Sequence, residues 1–143
     1  MAGAALIVED EIMVALDLEN ILVSAGYHVV EIAADREHAL QAAPQCSLAF
    51  VDVNLRDGAT GPDIATALTR DFGVRVIFVT ANPAHITADT GAIAFVRKPF
   101  SDVAIRTAAA IASAQAQPAM AAGTDVVLLH NDNMPEEDSR KRG

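Results

Sequence analysis

Glu9 and Asp10, Asp52, Thr80 and Lys98 each close or follow a short apolar run. The runs are Ala4-Ala5-Leu6-Ile7-Val8, Leu48-Ala49-Phe50-Val51, Val76-Ile77-Phe78-Val79 and Ile93-Ala94-Phe95-Val96. If they are neighbouring parallel strands, these polar groups converge at one edge of a sheet. Three crowded carboxylates repel one another and resist joint ionisation. A hard divalent cation relieves that, and Mg²⁺ takes a few carboxylate oxygens while keeping several waters. Asp10 and Asp52 can hold such an ion, with Glu9 acting directly or through water and the backbone carbonyl of Asn54 as a further ligand. Asp52 is the candidate nucleophile, because a carboxylate can accept a phosphoryl group as an aspartyl phosphate. Phosphoryl transfer asks the protein for little beyond positioning and charge neutralisation. Thr80 can donate to one phosphoryl oxygen and Lys98 can neutralise another. Lysine is scarce here: the only other one is Lys141.

Taken singly, each residue has an ordinary structural reading. Acids favour helix starts, an aspartate after a strand is commonly a turn residue, and a threonine suits a strand end. Lys98-Pro99 also reads as loop chemistry. The case rests on their conjunction at the ends of four strands.

The elements that must position them follow from pattern. Short apolar runs alternate with amphipathic stretches, the βα repeat of a parallel sheet. A first strand over 4–8 precedes a helix over 12–25, where Ile12, Ala15, Leu16, Glu19, Leu22 and Val23 recur at helical spacing and Gly26 ends it. Strands follow over 28–32 and 48–52, separated by a helix capped by Asp35 and stopped by Pro44. Gly61-Pro62 opens a third helix and Gly73 closes it. Strands over 76–79 and 93–96 come next, and Ser101 caps a last helix. Right-handed crossovers put helices on both faces of the sheet. In the wound order 2-1-3-4-5 the first and third strands flank the crevice where ligands bind.

Composition narrows the classes. The 143 residues suffice for one domain with a core. They are 52% hydrophobic with a net charge of −9, which argues against nucleic acid as a partner. Cys46 is alone, so no intrachain disulfide forms and a reducing cytoplasm fits. It reads as inert, and His28, His38, His85 and His130 share no metal spacing. No run approaches the roughly 20 apolar residues of a membrane span, and charge at Glu9 comes too early for a signal peptide. The expectation is a soluble cytoplasmic protein with no membrane partner. Residues 1–115 read as the domain and 116–143 as a linker and solvated tail, with a short strand allowed over 125–129.

The ordered set Leu6-Ile7-Val8-Glu9-Asp10-Glu11, Phe50-Val51-Asp52-Val53-Asn54-Leu55, Phe78-Val79-Thr80-Ala81-Asn82 and Phe95-Val96-Arg97-Lys98-Pro99-Phe100 resembles the receiver domain of two-component response regulators. The resemblance spans 4–114. It implies a flavodoxin-like α/β fold, a doubly wound five-stranded parallel sheet in the order 2-1-3-4-5. It makes Asp52 the phosphoacceptor, Glu9 and Asp10 the acid pocket for Mg²⁺, Thr80 the switch hydroxyl and Lys98 the phosphate-binding lysine. It places Phe95 at the switch aromatic, Asn54 and Asn82 at positions that tune phosphoryl loss, and a cis bond at Lys98–Pro99. The implied donor is a sensor histidine kinase or a histidine phosphotransfer protein. The implied chemistry is self-phosphorylation and autodephosphorylation rather than enzymatic turnover. Phosphorylation then biases two pre-existing conformers.

Two departures stand out. The segment from Thr80 to Phe95 is shorter than in chemotaxis-type receivers by about one helical turn, and Asn82-Pro83 and Gly91 break it. Nothing after Ala114 is large enough for an output domain, so a stand-alone receiver is expected. The segment 57–65 also resembles stand-alone receivers paired with alphaproteobacterial sensor kinases, and 126–134 resembles the start of Clp-protease adaptors, without the helices that complete one. Two other classes compete. An aspartate-nucleophile phosphatase usually carries its nucleophile on the first strand with a second aspartate two residues on, where this chain has Asn54. A phosphate-independent binding module with a relic site conflicts with the retained acids, Thr80 and Lys98. The output partner and oligomeric state stay open at this level.

Overall fold

The computed structural model describes residues 3–86, 89–113 and 125–129. Strands β1 (Gly3–Val8), β2 (Tyr27–Ala33), β3 (Leu48–Val51), β4 (Arg75–Thr80) and β5 (Ala94–Arg97) alternate with helices α1 (Ile12–Ser24), α2 (Arg36–Ala42) and α3 (Gly61–Phe72). Helix α4 (Asp102–Ala112) follows β5, and a sixth strand, β6 (Val126–Leu128), comes after it. The sheet order is β2-β1-β3-β4-β5-β6. The first five strands are parallel, as expected, and β6 extends the sheet antiparallel on β5.

The central strands are apolar on both faces because both faces are covered. Leu48, Ala49, Phe50 and Val51 of β3 are all buried. One face packs Ile7, Phe50, Ile77 and Val79 against Leu18 and Leu22 of α1 and Ile105 and Ala108 of α4. The other packs Leu6, Val8, Val51 and Phe78 against Ala39 of α2 and Ile64 and Leu68 of α3.

The local punctuation works as the residues dictate. Asp35 caps α2 by accepting from the His38 N–H at 2.9 Å, and Ser101 caps α4 by accepting from the Ala104 N–H at 3.0 Å. Gly73 ends α3 in the left-handed region at φ 66°, where a side chain would be strained. Among the described residues, no helix is long and apolar enough to cross a membrane.

One expectation needs correction. Helix α1 buries the stripe Ala15, Leu18, Leu22, whereas Ile12, Leu16 and Val23 are exposed. The helix is apolar around most of its circumference, so periodicity alone cannot choose which stripe faces the sheet. Between β4 and β5, the described residues form one 3-10 turn, Pro83–His85, and no α-helix. Pro83 offers no N–H, and Asp89 and Gly91 take positive φ values of 66° and 82°, both hostile to helix. The segment is pinned instead by the Thr69 hydroxyl of α3, which donates to the Thr90 carbonyl at 2.8 Å. The expected linker and tail over 116–124 and 130–143, with most of the adaptor-like stretch, lie outside the described residues.

Gly61 fixes how α3 meets the end of β3. Its N–H donates to the Val53 carbonyl at 2.9 Å. A β-carbon there would stand 2.6 Å from the Val53 Cα and would also collide with the Asp52 carbonyl. Gly61→Ala is therefore expected to lower stability by about 1–3 kcal/mol by overpacking. Urea denaturation followed by circular dichroism would measure it, and a variant as stable as the wild type would contradict this contact.

Candidate functional site

Parallel pairing delivers each polar residue to the same edge. The register aligns Val8 with Val51, and the Asp52 N–H donates to the Val8 carbonyl at 2.9 Å. Thr80 is in register with Arg97, and the Lys98 N–H donates to the Thr80 carbonyl at 2.9 Å. Glu9, Asp10, Asp52, Thr80 and Lys98 thus all stand at the carboxyl ends of adjacent strands, where sheet hydrogen bonding stops and side chains can converge.

They do converge. One oxygen each from Glu9, Asp10 and Asp52 lie within 4.8 Å of one another. The Lys98 ammonium donates to Glu9 Oε1 at 2.9 Å and to Asp52 Oδ2 at 3.0 Å. Side-chain exposure is 1% for Glu9, 8% for Asp52 and 15% for Lys98. Backbone donors hold the remaining oxygens: the Glu11 N–H reaches Glu9 Oε2 at 3.1 Å and the Asn54 N–H reaches Asp52 Oδ1 at 3.1 Å. The Lys98–Pro99 bond is cis, as the resemblance implied.

Burial sets the electrostatics. It raises the Glu9 pKa above the ordinary glutamate value, opposed by the Lys98 hydrogen bond and reinforced by the Asp52 charge. Burial also works against the Lys98 ammonium. Its hydrogen bonds to Glu9 and Asp52, with their charge, outweigh that and raise its pKa. The oxygen-rich cluster fits a hard divalent cation, with Glu9, Asp10 and Asp52 as first candidates to hold it.

Thr80 is fully buried, and its hydroxyl accepts from the Asn82 N–H at 2.8 Å. Phe95 lies outside the acid cluster, half-buried against the core on the face of α2 and α3. The Asn54 side chain is held by His85, with Nδ1 3.1 Å from Asn54 Oδ1. That contact joins the loop after β3 to the 3-10 turn after β4, and no spacing in the sequence signals it. Gly61 was legible only as a helix opener, since its crowding against Asp52 and Val53 depends on a tertiary approach. Of the other histidines, His28 is exposed and His38 pairs with Asp35 at 2.8 Å. Cys46 is half-buried, donates to the Ala42 carbonyl at 3.3 Å, and has a thiol pKa raised by burial. This agrees with an inert role.

Residues 5–110 match the response regulator receiver domain family, and the chain belongs to that family. It is 37% identical over 105 residues to the phyllosphere-induced regulator PhyR of Methylorubrum extorquens, covering 70% of this chain and 39% of that protein. It is 33% identical over 101 residues to the transcriptional regulatory protein PdtaR of Mycobacterium tuberculosis, covering 67% of this chain and 49% of that one. The chain thus spans less than half the length of these curated relatives. The solution structure of the PhyR receiver domain of Erythrobacter litoralis superposes with a TM-score of 0.69 at 31% identity, covering 77% of this chain and 88% of that one. The fold and the receiver class are therefore those of a two-component response regulator.

The Lys98 bridge yields a prediction independent of any ligand. In metal-free buffer, Lys98→Met leaves two buried carboxylates facing each other without a cation. Stability at pH 7 is expected to fall by about 3–5 kcal/mol. The loss shrinks as pH drops, because burial already makes Glu9 bind its proton more readily in the folded state than in the unfolded one, and losing the opposing Lys98 hydrogen bond strengthens that preference. Denaturant titrations at pH 7 and pH 4.5 would check this, and a deficit independent of pH would contradict it.

Proposed function

We propose that this chain is a phosphoacceptor response regulator in which Asp52 takes a phosphoryl group from a sensor histidine kinase or a histidine phosphotransfer protein. One Asp52 carboxylate oxygen attacks phosphorus, the P–N bond to the donor imidazole breaks, and the leaving imidazole keeps the electron pair and takes up a proton. Asp10, Asp52 and Glu9, with the Asn54 carbonyl, would hold Mg²⁺, which supplies charge neutralisation for the transferring group. Lys98 holds the acceptor in place and neutralises a phosphoryl oxygen. Thr80 donates its hydroxyl to another. Asn54 and Asn82 flank the acceptor and set how readily water removes the phosphoryl group. The protein then acts through a change of shape at Phe95 and through contact with another protein, rather than by turnover.

The observation that carries this reading is the buried Lys98 ammonium spanning Glu9 and Asp52 at the strand ends, at 2.9 and 3.0 Å. Such a bridge orients the acceptor before the donor arrives. The surface beside it suits a donor protein. Ile12 and Met13 are 61% and 74% exposed and directly follow Asp10 and Glu11. They offer apolar area that a helical partner would bury.

Intact-mass measurements after addition of acetyl phosphate test the reading. The wild type is expected to gain one phosphoryl mass only with Mg²⁺ present, and Asp52→Asn is expected to gain none. An adduct that persists in Asp52→Asn would overturn the assignment, and so would no adduct with either acetyl phosphate or a phosphorylated kinase.

Metal binding has its own signature. Mg²⁺ at about a hundred times its Kd should stabilise the fold by about 2.7 kcal/mol. Burial raises the Glu9 pKa, so the folded, metal-free chain keeps that proton to higher pH than the unfolded chain. The ion must displace it, so the stabilisation is full at neutral pH and fades as pH falls through the raised value. Thermal melts with and without Mg²⁺ between pH 4 and 8 would show a constant increment if Glu9 took no part.

A further inference from the structure

Strand β6 sits where a helix is missing. Among the described residues, no α-helix follows β4 to cover the β5 end of the face that carries α2 and α3. β6 pairs there instead, Ala94 with Leu128, Phe95 with Val127 and Val96 with Val126. The Leu129 N–H extends the ladder, donating to the Ile93 carbonyl at 2.9 Å. Side chains alternate across a sheet, so Val126 joins the core with α1 and α4. Val127 stands level with Phe95, and Leu129 packs on the same cluster as Phe95. Asp125 and Val127 also line a cavity of about 280 Å³ with Phe95, Arg97, Lys98 and Pro99. The strand therefore adjoins both Phe95 and the lysine of the acid pocket. Its hold is slight: Val126 is its buried residue, whereas Val127 and Leu128 are 46% and 39% exposed.

We propose that the outer edge of β5 is a strand-acceptor surface closed by β6. Phosphorylation of Asp52 loosens β6 so that an extended apolar segment of a partner protein takes its place. This rests on the reading of Asp52 as phosphoacceptor. Drawing the Thr80 hydroxyl toward a phosphoryl group opens space near β5, and Phe95 moves inward to fill it. That withdraws apolar surface from beside Val127 and Leu129. β6 keeps its main-chain bonds but loses side-chain cover, and the balance between bound and released strand shifts. A bare edge is a template for another strand, with main-chain bonds giving affinity and alternate side chains giving specificity. β6 itself shows what fits: an antiparallel segment, apolar over consecutive residues and opened by an acid that lines the same cavity as Arg97 and Lys98.

Two measurements on the full chain test this. Amide hydrogen exchange over residues 93–97 and 125–129 is followed with and without Mg²⁺ and beryllofluoride, a stable mimic of the phosphoryl group. Fluorescence polarisation follows binding of a labelled peptide carrying Asp-Val-Val-Leu-Leu. Loading is expected to speed exchange of the β6 amides by about tenfold or more, as local opening does. The peptide is expected to bind the loaded chain and the Val127→Pro chain, but not the unloaded wild type. Val127→Pro removes a ladder N–H at a half-exposed position, and Val126→Asp releases the strand by a second route. Unchanged β6 protection in the loaded chain would overturn the proposal. Failure of the peptide to bind any form would do the same. A chain that gains the phosphoryl mass yet keeps β6 fixed sinks this inference alone. A chain that gains no phosphoryl mass removes the phosphoacceptor reading and this proposal with it.

Discussion

Two carboxylates buried side by side are unstable neighbours, and the site is organised around that problem. Glu9 and Asp52 are both nearly withdrawn from water, and the Lys98 ammonium bridges them. Removing either charge type leaves the other without compensation in a medium that solvates it poorly. The result is a pocket whose buried charges compensate one another and whose clustered carboxylate oxygens suit a hard cation. Two oxygens are also fixed by backbone N–H groups of Glu11 and Asn54, so Glu9 and Asp52 are each held from more than one side.

That electrostatic arrangement depends on the sheet. Four parallel strands end together, and their last residues must lie within a few ångströms for one ammonium to reach two acids. The registers of β1 with β3, β3 with β4 and β4 with β5 achieve this. Close approach of α3 to the end of β3 then completes the loop beneath Asp52, which is why position 61 has no room for a side chain. Core packing on both faces resists a slip of any strand, since a one-residue shift would turn Phe50 or Phe78 to the opposite face.

The segment between β4 and β5 departs from the regular βα repeat. Its short 3-10 turn carries His85 over the site to the Asn54 side chain, while Thr69 of α3 ties its later part down. The cover that a helix would give Phe95 comes instead from β6. Receiver domains interact with kinases or other proteins, and among the described residues Val127 and Leu128 of β6 and Ile12 and Met13 at the start of α1 leave apolar surface exposed.

Much of the fold was legible in the residues. The strand runs, the caps at Asp35 and Ser101, and the stops at Pro44 and Gly73 are short-range chemistry, and they lie where the chain places its elements. The conjunction of Glu9, Asp10, Asp52 and Lys98 was also legible, because strand ends of a parallel sheet have only one place to meet. Which stripe of α1 faces inward was not, since Ile12, Leu16 and Val23 are as apolar as Leu18 and Leu22. Nor was the His85–Asn54 contact, the crowding at Gly61 or the side of the sheet that β6 joins. Sequence determined the elements and the chemistry of the pocket, because caps, turns and strand propensity act over a few residues. Tertiary structure decided the helix face, the loop contacts and the sixth strand, because those depend on which surfaces distant segments leave uncovered.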